Sequence, residues 1–464
     1  MANLDDFKQI VDKNLEDMDI SLEGKKTLRE KAAKPRKLWN SKTFKIAAIP
    51  AAALVVAVAV TASNLLHPMQ VSANENLMES ITRNEMDSLE ADSDFTAGAA
   101  GFSVKLLQQS LDGDKNVLVS PFSASLALGM TANGAKGSTL SQFESVLGGG
   151  IPIKKLNQYY LNLAGRLQKD SDMISIADSI WYSNRKDLTV KKDFLQKNAD
   201  YYGSDAYQLD FSDPETVKKI NNWVSTNTDG LLDQVVEKIE PDTVMYLINT
   251  LLFEAEWAKT YEDTQMEDGT FASPDGDVSV TYMNSSEGYY LEDGSATGFV
   301  KRYQNGNYSF AALLPNEGVS VEDYIAGLTG ESFLSLLENA QNGVVYAKLP
   351  QFKYEYAIGL NDALQNMGLT DAFDPSAADF SDMGTVDGEN LYIGSVLQKT
   401  YIEVTPVGTK AGAATTVTMN TTSAMLPPED PKTVELTRPF VYAIIDNQTG
   451  LPLFIGCVNN PSAD

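Results

Sequence analysis

Histidine and cysteine are almost absent from this chain of 464 residues. The only histidine is His67, and the only cysteine is Cys457. Residues 68–464 therefore cannot assemble a Ser-His-Asp or Cys-His catalytic group, and a metal site built from histidine and cysteine is excluded. With one cysteine the chain forms no internal disulfide, so its core must supply the stability. Cys457 lies in the apolar run 453-LFIGCV-458, which predicts a buried strand thiol.

One catalytic arrangement without histidine stays formally open. The stretch 183-SNRK-186 has the spacing of a Ser-x-x-Lys motif, but no Gly-x-Ser-x-Gly elbow and no Lys-Thr-Gly element accompanies it. We interpret it as a solvated turn. The sequence thus predicts no catalytic residue, no metal ligand and no cofactor, and the chain is not expected to be an enzyme.

Positive charge is scarce as well. The chain has 36 lysines and arginines against 63 aspartates and glutamates, which gives a net charge of −27. Such a surface repels phosphates, so we expect no nucleic acid partner.

An uncharged segment near the start divides the chain. The run 46-IAAIPAAALVVAVAVTASNLL-66 has the length of a membrane-spanning helix. Lysines and arginines precede it and acids follow it, so residues 1–45 are predicted to be cytoplasmic and the remainder exported. A cleavable signal with secretion of the remainder, or a buried core helix, are the alternatives.

The residues after this segment divide into a linker and one large domain. Residues 67–95 are polar and acidic, which predicts a solvated tether. From residue 96 to 464 helical and strand-like patterns are mixed, as expected of a single α+β domain. Helical spacing occurs at 122–135 and 218–232; strand-like runs are 244–253, 309–315, 344–355 and 439–446.

Several segments in this domain together resemble one protein family. The run 116-NVLVSPFSASLALGMTANGAKGSTLSQF-143 is similar to the N-terminal signature of serpins, the large-loop serine protease inhibitors. Segments that agree in the same order are 220-INNWVSTNTDG-230, 248-INTLLFEAEW-257, 346-YAKLPQFKYE-355, 366-NMGLTDAF-373 and 439-PFVYAIIDNQTGLPLFIGCVNNP-461. The resemblance covers residues 96–461 and implies a serpin fold with a large central β-sheet, surrounding helices and an exposed reactive-centre loop. With the predicted membrane helix, it indicates a membrane-anchored, bacterial-type member.

The stretch 408-GTKAGAATTVTMNTTSAMLPPEDP-431 is the candidate reactive loop. It contains no proline from residue 407 to 426, so each of these residues could donate a ladder hydrogen bond. Alternate residues from Thr409 are small and then apolar, and the others are polar or small, which favours a latent strand over a flexible linker. The resemblance implies a hinge at Gly408, Thr409, Lys410, Ala411, Gly412, Ala413, Ala414 and Thr415.

The resemblance also implies a mechanism and a partner. A target serine protease cleaves the loop, and the freed hinge inserts into the central sheet while the protease is still held as a covalent acyl-enzyme, with the inhibitor acting as a monomer. The positions carried across under the sheet and at the loop entry are Ser123, Asn249, Trp257 and Gln398. Where the family usually has acids beside the hinge, this chain has Pro406, Val407 and Lys410, and Gln398 replaces a common histidine.

Two ways of locating the scissile bond disagree. Counting forward from Gly408 by the family's usual hinge length places the bond at Thr422–Ser423, whereas counting backward from 439-PF-440 places it near Glu429. We prefer the forward count, because the sheet fixes the inserted length. A threonine bait suits elastase-like or subtilisin-like proteases; Met425 and Leu426 are the fallback baits and favour chymotrypsin-like enzymes.

Two other functions remain open. The first is a non-inhibitory serpin that acts as a binding protein, for which bulky, charged or proline-containing hinge positions would be typical. The second is a single-pass sensor that signals through its N-terminal segment, where 4-LDDFKQIVDKNLEDMDI-20 has the charge pattern of a short amphipathic helix.

Overall fold

A computed structural model describes the chain from residue 75 to residue 463, except for 171–172, 229, 233, 240–242, 388–389 and 410–429. The predicted cytoplasmic segment 1–45 and membrane segment 46–66 lie outside the described residues. Among the residues that are described, no helix is both long and apolar enough to span a bilayer.

The described residues belong to one compact unit in which helices and strands are mixed. The helices are α1 Ser93–Gln109, α2 Pro121–Ala132, α3 Gly137–Gly148, α4 Ile153–Leu167, α5 Lys192–Tyr202, α6 Pro214–Asn227, α7 Val321–Gly327, α8 Gly330–Glu338 and α9 Asn361–Asn366. The strands are β1 Val117–Val119, β2 Ile174–Ser183, β3 Leu188–Val190, β4 Asp205–Leu209, β5 Met245–Phe253, β6 Ala255–Glu256, β7 Met266–Ser273, β8 Gly276–Glu292, β9 Ala296–Arg302, β10 Tyr308–Pro315, β11 Gln341–Pro350, β12 Phe352–Gly359, β13 Gly384–Val386, β14 Leu397–Val404, β15 Gly408–Thr409, β16 Lys432–Glu435, β17 Phe440–Asp446 and β18 Pro452–Val458.

A nine-stranded sheet forms the larger part of the β structure described here. Its order is β1-β18-β17-β10-β9-β8-β11-β16, with β7 pairing to β8. The two strands closest to the C-terminus, β17 and β18, are fully buried and lie next to each other within this sheet. The first described strand, β1, pairs with the last one, β18, and Val117 lies opposite Cys457.

The central sheet consists of two ladders side by side. One has the order β4-β2-β5 and the other the order β12-β14-β15-β6. The two sets of strands meet at one parallel bridge between Leu247 and Val396. They meet again at β6, which follows β5 after a single residue and pairs with β15, while β15 pairs with β14. Between these two points, no ladder joins β5 to β14 among the described residues.

Helix α2 lies between the two sheets. It contacts both β5 and β18, and every residue from Pro121 to Ala132 is buried. Ser120 caps its start by accepting a hydrogen bond from the Ser123 amide, and Pro121 occupies the first helical position, where its missing N–H has no cost. A helix that is apolar on all sides is stable only in such a position.

The secondary structure agrees with most of the predicted segments. The runs at 244–253, 309–315 and 439–446 are β5, β10 and β17, and the helical patterns at 122–135 and 218–232 fall on α2 and α6. The run 344–355 is two strands that separate at Gln351. The Cys457 side chain is 1% exposed in β18, which confirms the predicted buried strand thiol. The turn predicted for 183–186 lies at 186–187, and the prediction is wrong for Ser183, which is the last residue of β2 and is 7% exposed.

The expectation of a solvated tether is wrong for residues 75–95. The Leu77 amide donates to the Ala206 carbonyl at 2.9 Å, and the Gln208 amide donates to the Glu75 carbonyl at 2.7 Å, so the segment pairs with the edge of β4. Its apolar side chains, which are Leu77, Met78, Ile81, Met86 and Leu89, pack against the core. The many acidic and polar residues between these apolar side chains made the segment resemble a solvated linker.

Candidate functional site

A tight turn connects β14 to the start of the candidate loop. The Thr405 amide donates to the Gly408 carbonyl at 2.9 Å, and the Thr405 hydroxyl donates to the same oxygen at 3.0 Å. The amides of Val407 and Gly408 both donate to the Thr405 hydroxyl oxygen at 3.3 Å. Pro406 occupies the second position of this turn, where a β-turn needs no N–H donor, so the proline costs the turn no hydrogen bond.

Three successive carbonyls of this turn accept hydrogen bonds from one neighbouring segment. The Trp257 indole N–H donates to the Thr405 carbonyl at 2.9 Å. The Tyr261 amide donates to the Pro406 carbonyl, and the Trp257 amide to the Val407 carbonyl, each at 2.9 Å. Trp257 therefore holds the turn through both its side chain and its backbone, at the end of the sheet where the loop begins.

Gly408 and Thr409 already lie within the central sheet. Thr409 is opposite Val404 on one side and Ala255 on the other. A Cβ atom on Gly408 would lie 2.1 Å from the Ala255 carbonyl oxygen, so only glycine permits this close approach. The Thr409 side chain is 2% exposed, which is the inward orientation that the alternating pattern predicted.

Tyr303 lies directly beneath this pair of hinge residues. Its hydroxyl shares a hydrogen bond with the Thr409 hydroxyl, with 2.5 Å between the oxygens. Its ring stacks on Trp257, with centroids 4.6 Å apart, and meets Phe253 edge to face at 4.9 Å. Burial raises the pKa of the Tyr303 phenol far above its ordinary value, so the group stays a neutral hydroxyl.

A buried ion pair lies next to the rings of Trp257 and Tyr261. The Lys301 ammonium lies 2.9 Å from a Glu287 carboxylate oxygen and 4.3 Å from the centre of the Tyr261 ring. Burial lowers the pKa of Lys301, and the charge of Glu287 opposes this shift. Removing either partner would leave a buried charge uncompensated, so the pair fixes the segment that holds the hinge turn.

The other predicted residues under the sheet lie at the far end of β14. The Gln398 amide nitrogen donates to the Ser120 carbonyl at 2.9 Å, and its oxygen accepts from the Ser120 amide at 3.0 Å. The Thr400 hydroxyl donates to the Leu118 carbonyl at 2.8 Å. These bonds attach the inner face of β14 to the segment that leads into α2, where Ser123 is buried one turn inside the helix.

The described structure thus separates the predicted site residues into two groups. Trp257, Gly408 and Thr409 meet where the loop leaves the sheet, and Gln398 lies near Ser123 through Ser120. The backbone of Asn249 lies in β5 opposite Asp178. The other hinge residues, Lys410, Ala411, Gly412, Ala413, Ala414 and Thr415, and the baits Thr422, Ser423, Met425 and Leu426 lie outside the described residues.

Sequence reasoning missed several residues that hold this site. Tyr303, Tyr261 and Lys301 belong to the hinge support, and Ser120 and Thr400 belong to the contact under β14. No periodicity marks Tyr303 or Lys301, because their function depends on residues that are distant in sequence. Ser120 was recognisable as a helix cap, since it precedes a proline and a long apolar run.

Comparisons with known proteins agree with this architecture. The family model described as "Serpin (serine protease inhibitor)" matches residues 97–461. An uncharacterized serpin-like protein of Thermococcus kodakarensis is 30% identical over 368 residues, covering 78% of this chain and 84% of that protein. Leukocyte elastase inhibitor A of Mus musculus is also 30% identical, covering 75% of this chain and 93% of that protein.

A solved structure is similar over the same region. The crystal structure of tengpin, a thermophilic serpin in its native state, superposes with a TM-score of 0.78 at 46% sequence identity. The match covers 83% of this chain and 99% of that one. The family model matches residues 97–461, a relative is 30% identical, and a solved serpin has the same fold. This chain therefore belongs to the serpin family, whose members are generally protease inhibitors.

Proposed function

We propose that this chain inhibits serine proteases by trapping them, with insertion of its cleaved loop into the central sheet. The observation that carries the proposal is the state of the hinge. Thr409 is paired on both sides and Gly408 on one, while in the described part of the chain β5 and β14 meet elsewhere only at the bridge between Leu247 and Val396. Opening of this bridge would let one more strand, whose first residues are in place, extend between β5 and β14. The protease supplies the catalytic groups and becomes attached through its own nucleophile.

The register of the hinge supports an inserted strand with a suitable inner face. Continuing the antiparallel pairing of Thr409 with Val404 places every second loop residue opposite a buried residue of β14. The expected pairs are Ala411 with Ile402, Ala413 with Thr400 and Thr415 with Gln398. The β14 partners are between 2% and 8% exposed, so the entering side chains must be small.

Lys410 departs from the family pattern, and the same register offers it a favourable place. It would lie on the outer face between Glu403 of β14 and Glu254, the residue before β6. Burial is the main cause of the raised pKa of the Tyr401 phenol, and the charges of Glu403 and Glu254 raise it further. A lysine ammonium between two carboxylates at a half-exposed position is stabilising, so Lys410 does not argue against insertion.

The bait residues favour a protease with a small apolar primary pocket. Thr422 is uncharged and small, which suits elastase-like or subtilisin-like enzymes and is a poor fit for a trypsin-like pocket. Met425 or Leu426 as bait would shift the preference toward chymotrypsin-like enzymes.

A panel of serine proteases of known specificity tests this function. Full-length chain is incubated with each enzyme, and we expect a protease complex that survives boiling in detergent on a denaturing gel. Mass spectrometry of the C-terminal peptide released by a trapped enzyme then locates the bond. A peptide that starts at Ser423 supports the Thr422 bait, and one that starts at Leu426 or Pro427 moves it downstream. Loop cleavage with full recovery of protease activity would refute trapping.

We also propose that the inhibitor domain is exported and held at the membrane by residues 46–66. The uncharged run and the lysines and arginines before it support this location. In fractionated cells the full-length chain is expected in the membrane fraction, with the domain accessible to added protease from outside. Recovery of a shortened chain in the medium would support the cleaved-signal alternative.

A further inference from the structure

The contact between Tyr303 and Thr409 joins the hinge to a side chain that is unusually well fixed. The Tyr303 ring is held on one face by Trp257 and at its edge by Phe253. Its backbone forms an antiparallel bridge with Trp257, and the next amide, Gln304, donates to the Glu256 carbonyl of β6 at 2.9 Å. The hydroxyl therefore has one position relative to β6, and Thr409 is bonded at that position.

The hydrogen bond between Tyr303 and Thr409 does not have to break when the loop enters the sheet. Thr409 is paired with β14 and with β6 before any cleavage, and a fully inserted strand in the same register would keep both pairings. The hydroxyl bond would then be present at the beginning and at the end of insertion. A bond common to both states does not oppose the change between them. It removes the cost of forming the first paired residue, which is the unfavourable step in forming any hydrogen-bonded ladder.

We propose that Tyr303 is a positioning residue for loop insertion: its hydroxyl holds Thr409 in register, so that the cleaved strand enters the sheet from a preformed nucleus. The inference rests on the proposed trapping function and deepens it. Trapping depends on insertion being faster than hydrolysis of the acyl-enzyme. Without the hydroxyl the first residue leaves the sheet more often, insertion starts later, and more inhibitor is consumed as an ordinary substrate.

The test compares two single variants with their double variant in the full-length chain. Tyr303→Phe removes only the phenol oxygen, and Thr409→Val replaces the threonine hydroxyl by a methyl group of similar shape. Each is expected to raise the number of inhibitor molecules consumed per trapped protease about threefold or more. The rate of the first acylation, obtained as the association rate multiplied by that number, should stay within about twofold of wild type. Thr409→Ser keeps a hydroxyl and should restore efficient trapping.

The double variant decides whether one bond is responsible. If both changes remove the same hydrogen bond, the double variant consumes no more inhibitor per protease than either single variant. The matched control is Tyr324→Phe, because Tyr324 is also buried and its hydroxyl, on α7, donates to Asp293 at 2.7 Å. This control should lose stability without a change in trapping.

Two results would overturn the inference. One is unchanged consumption in Tyr303→Phe, and the other is multiplication of the two single effects in the double variant. If the wild-type chain traps no protease at all, the proposed function fails separately. The role of Tyr303 is then tested without trapping. A cysteine protease cuts the loop, and the rate at which a heat-resistant form of the chain appears is measured. Tyr303→Phe should lower this rate. An equal rate in variant and wild type would refute the inference.

Discussion

Thr409 and Lys410 are neighbours in sequence, but the register of the hinge assigns them to opposite faces of the sheet. Thr409→Arg would put a long charged side chain where the present one is 2% exposed and enclosed by two strands. Burying an unpaired guanidinium is costly, so insertion should stall and the inhibitor should become a substrate. We expect at least a tenfold rise in inhibitor consumed per trapped protease, measured by titration against a fixed amount of enzyme.

The matched control for this change is Lys410→Arg. It introduces the same side chain one residue away, on the face where Glu254 and Glu403 would receive a positive charge, and it should leave the titration unchanged. Equal loss of trapping in both variants would contradict the register.

Cys457 offers a chemical measure of how closed the core is. Its side chain is 1% exposed, and burial raises the pKa of its thiol to about 12. At pH 8 the group is therefore neutral as well as inaccessible, and thiolate is the reactive form. The folded chain should not react with an aromatic disulfide reagent within an hour, and after unfolding in urea it should release one equivalent of product. The chain has no other cysteine to confuse the signal. Rapid reaction of the folded chain would show that β18 opens.

Single residues also show what a sequence can and cannot indicate. The inward position of Thr409 follows from a simple alternation of side chains, which is a local property. The partner of Thr409 does not, because Tyr303 precedes it by about a hundred residues and looks like any strand aromatic. Gln398 was placed under the sheet by resemblance, but its hydrogen bonds to Ser120 depend on how α2 approaches β14.

Residues 75–92, which precede α1, differ most from the sequence prediction, because they pack against the domain instead of forming a solvated tether. Within this segment, the Asn84 side chain donates to the Asp200 carboxylate at 3.2 and 3.1 Å, and Asp200 is 7% exposed. Asn84→Ala should lower the free energy of unfolding by about 1–2 kcal/mol, since a buried carboxylate loses donors. Urea unfolding followed by tryptophan fluorescence measures this.

The control for Asn84→Ala is the adjacent Glu85→Ala, because the Glu85 side chain is exposed. Its free energy of unfolding in urea should equal that of wild type to within about 0.5 kcal/mol. If Asn84→Ala is equally neutral, the hydrogen bonds from the Asn84 side chain to Asp200 contribute nothing measurable to the stability of the domain.

Other elements were predictable from the sequence where neighbouring residues determine them, and not where pairing with distant strands does. Strands β5, β10 and β17 follow from short apolar runs, and α2 follows from its cap and its apolar length. The division of 344–355 into β11 and β12 was not visible, because the two strands belong to different sheets and only tertiary pairing separates them. The two-residue strand β15 is too short for any pattern.

At the scale of the whole molecule, the incomplete central sheet predicts a change in heat stability. Cleavage within residues 410–429 by a protease that is not trapped should allow the strand to enter. About ten new ladder bonds at about 1 kcal/mol each would then raise the melting temperature by on the order of 10 °C. Calorimetry before and after cleavage measures this. Cleaved Thr409→Arg, whose strand cannot enter, should show little rise. Identical melting of intact and cleaved wild type would mean that the sheet does not accept the loop.

The pairing of β1 with β18 sets the order in which a ribosome can complete this protein. Val117 meets Cys457 only when nearly the entire chain has been made, which takes roughly half a minute or longer at about 5–20 residues per second. The strands of the central sheet and the reactive loop are all synthesised before β17 and β18, which complete the larger core. During that interval the loop and an open sheet coexist without the finished core beside them. Under the proposed function, synthesis of the last strands must therefore outpace premature entry of the loop into the sheet. A chain stopped before residue 452 would lack β18, the strand with which β1 and β17 both pair.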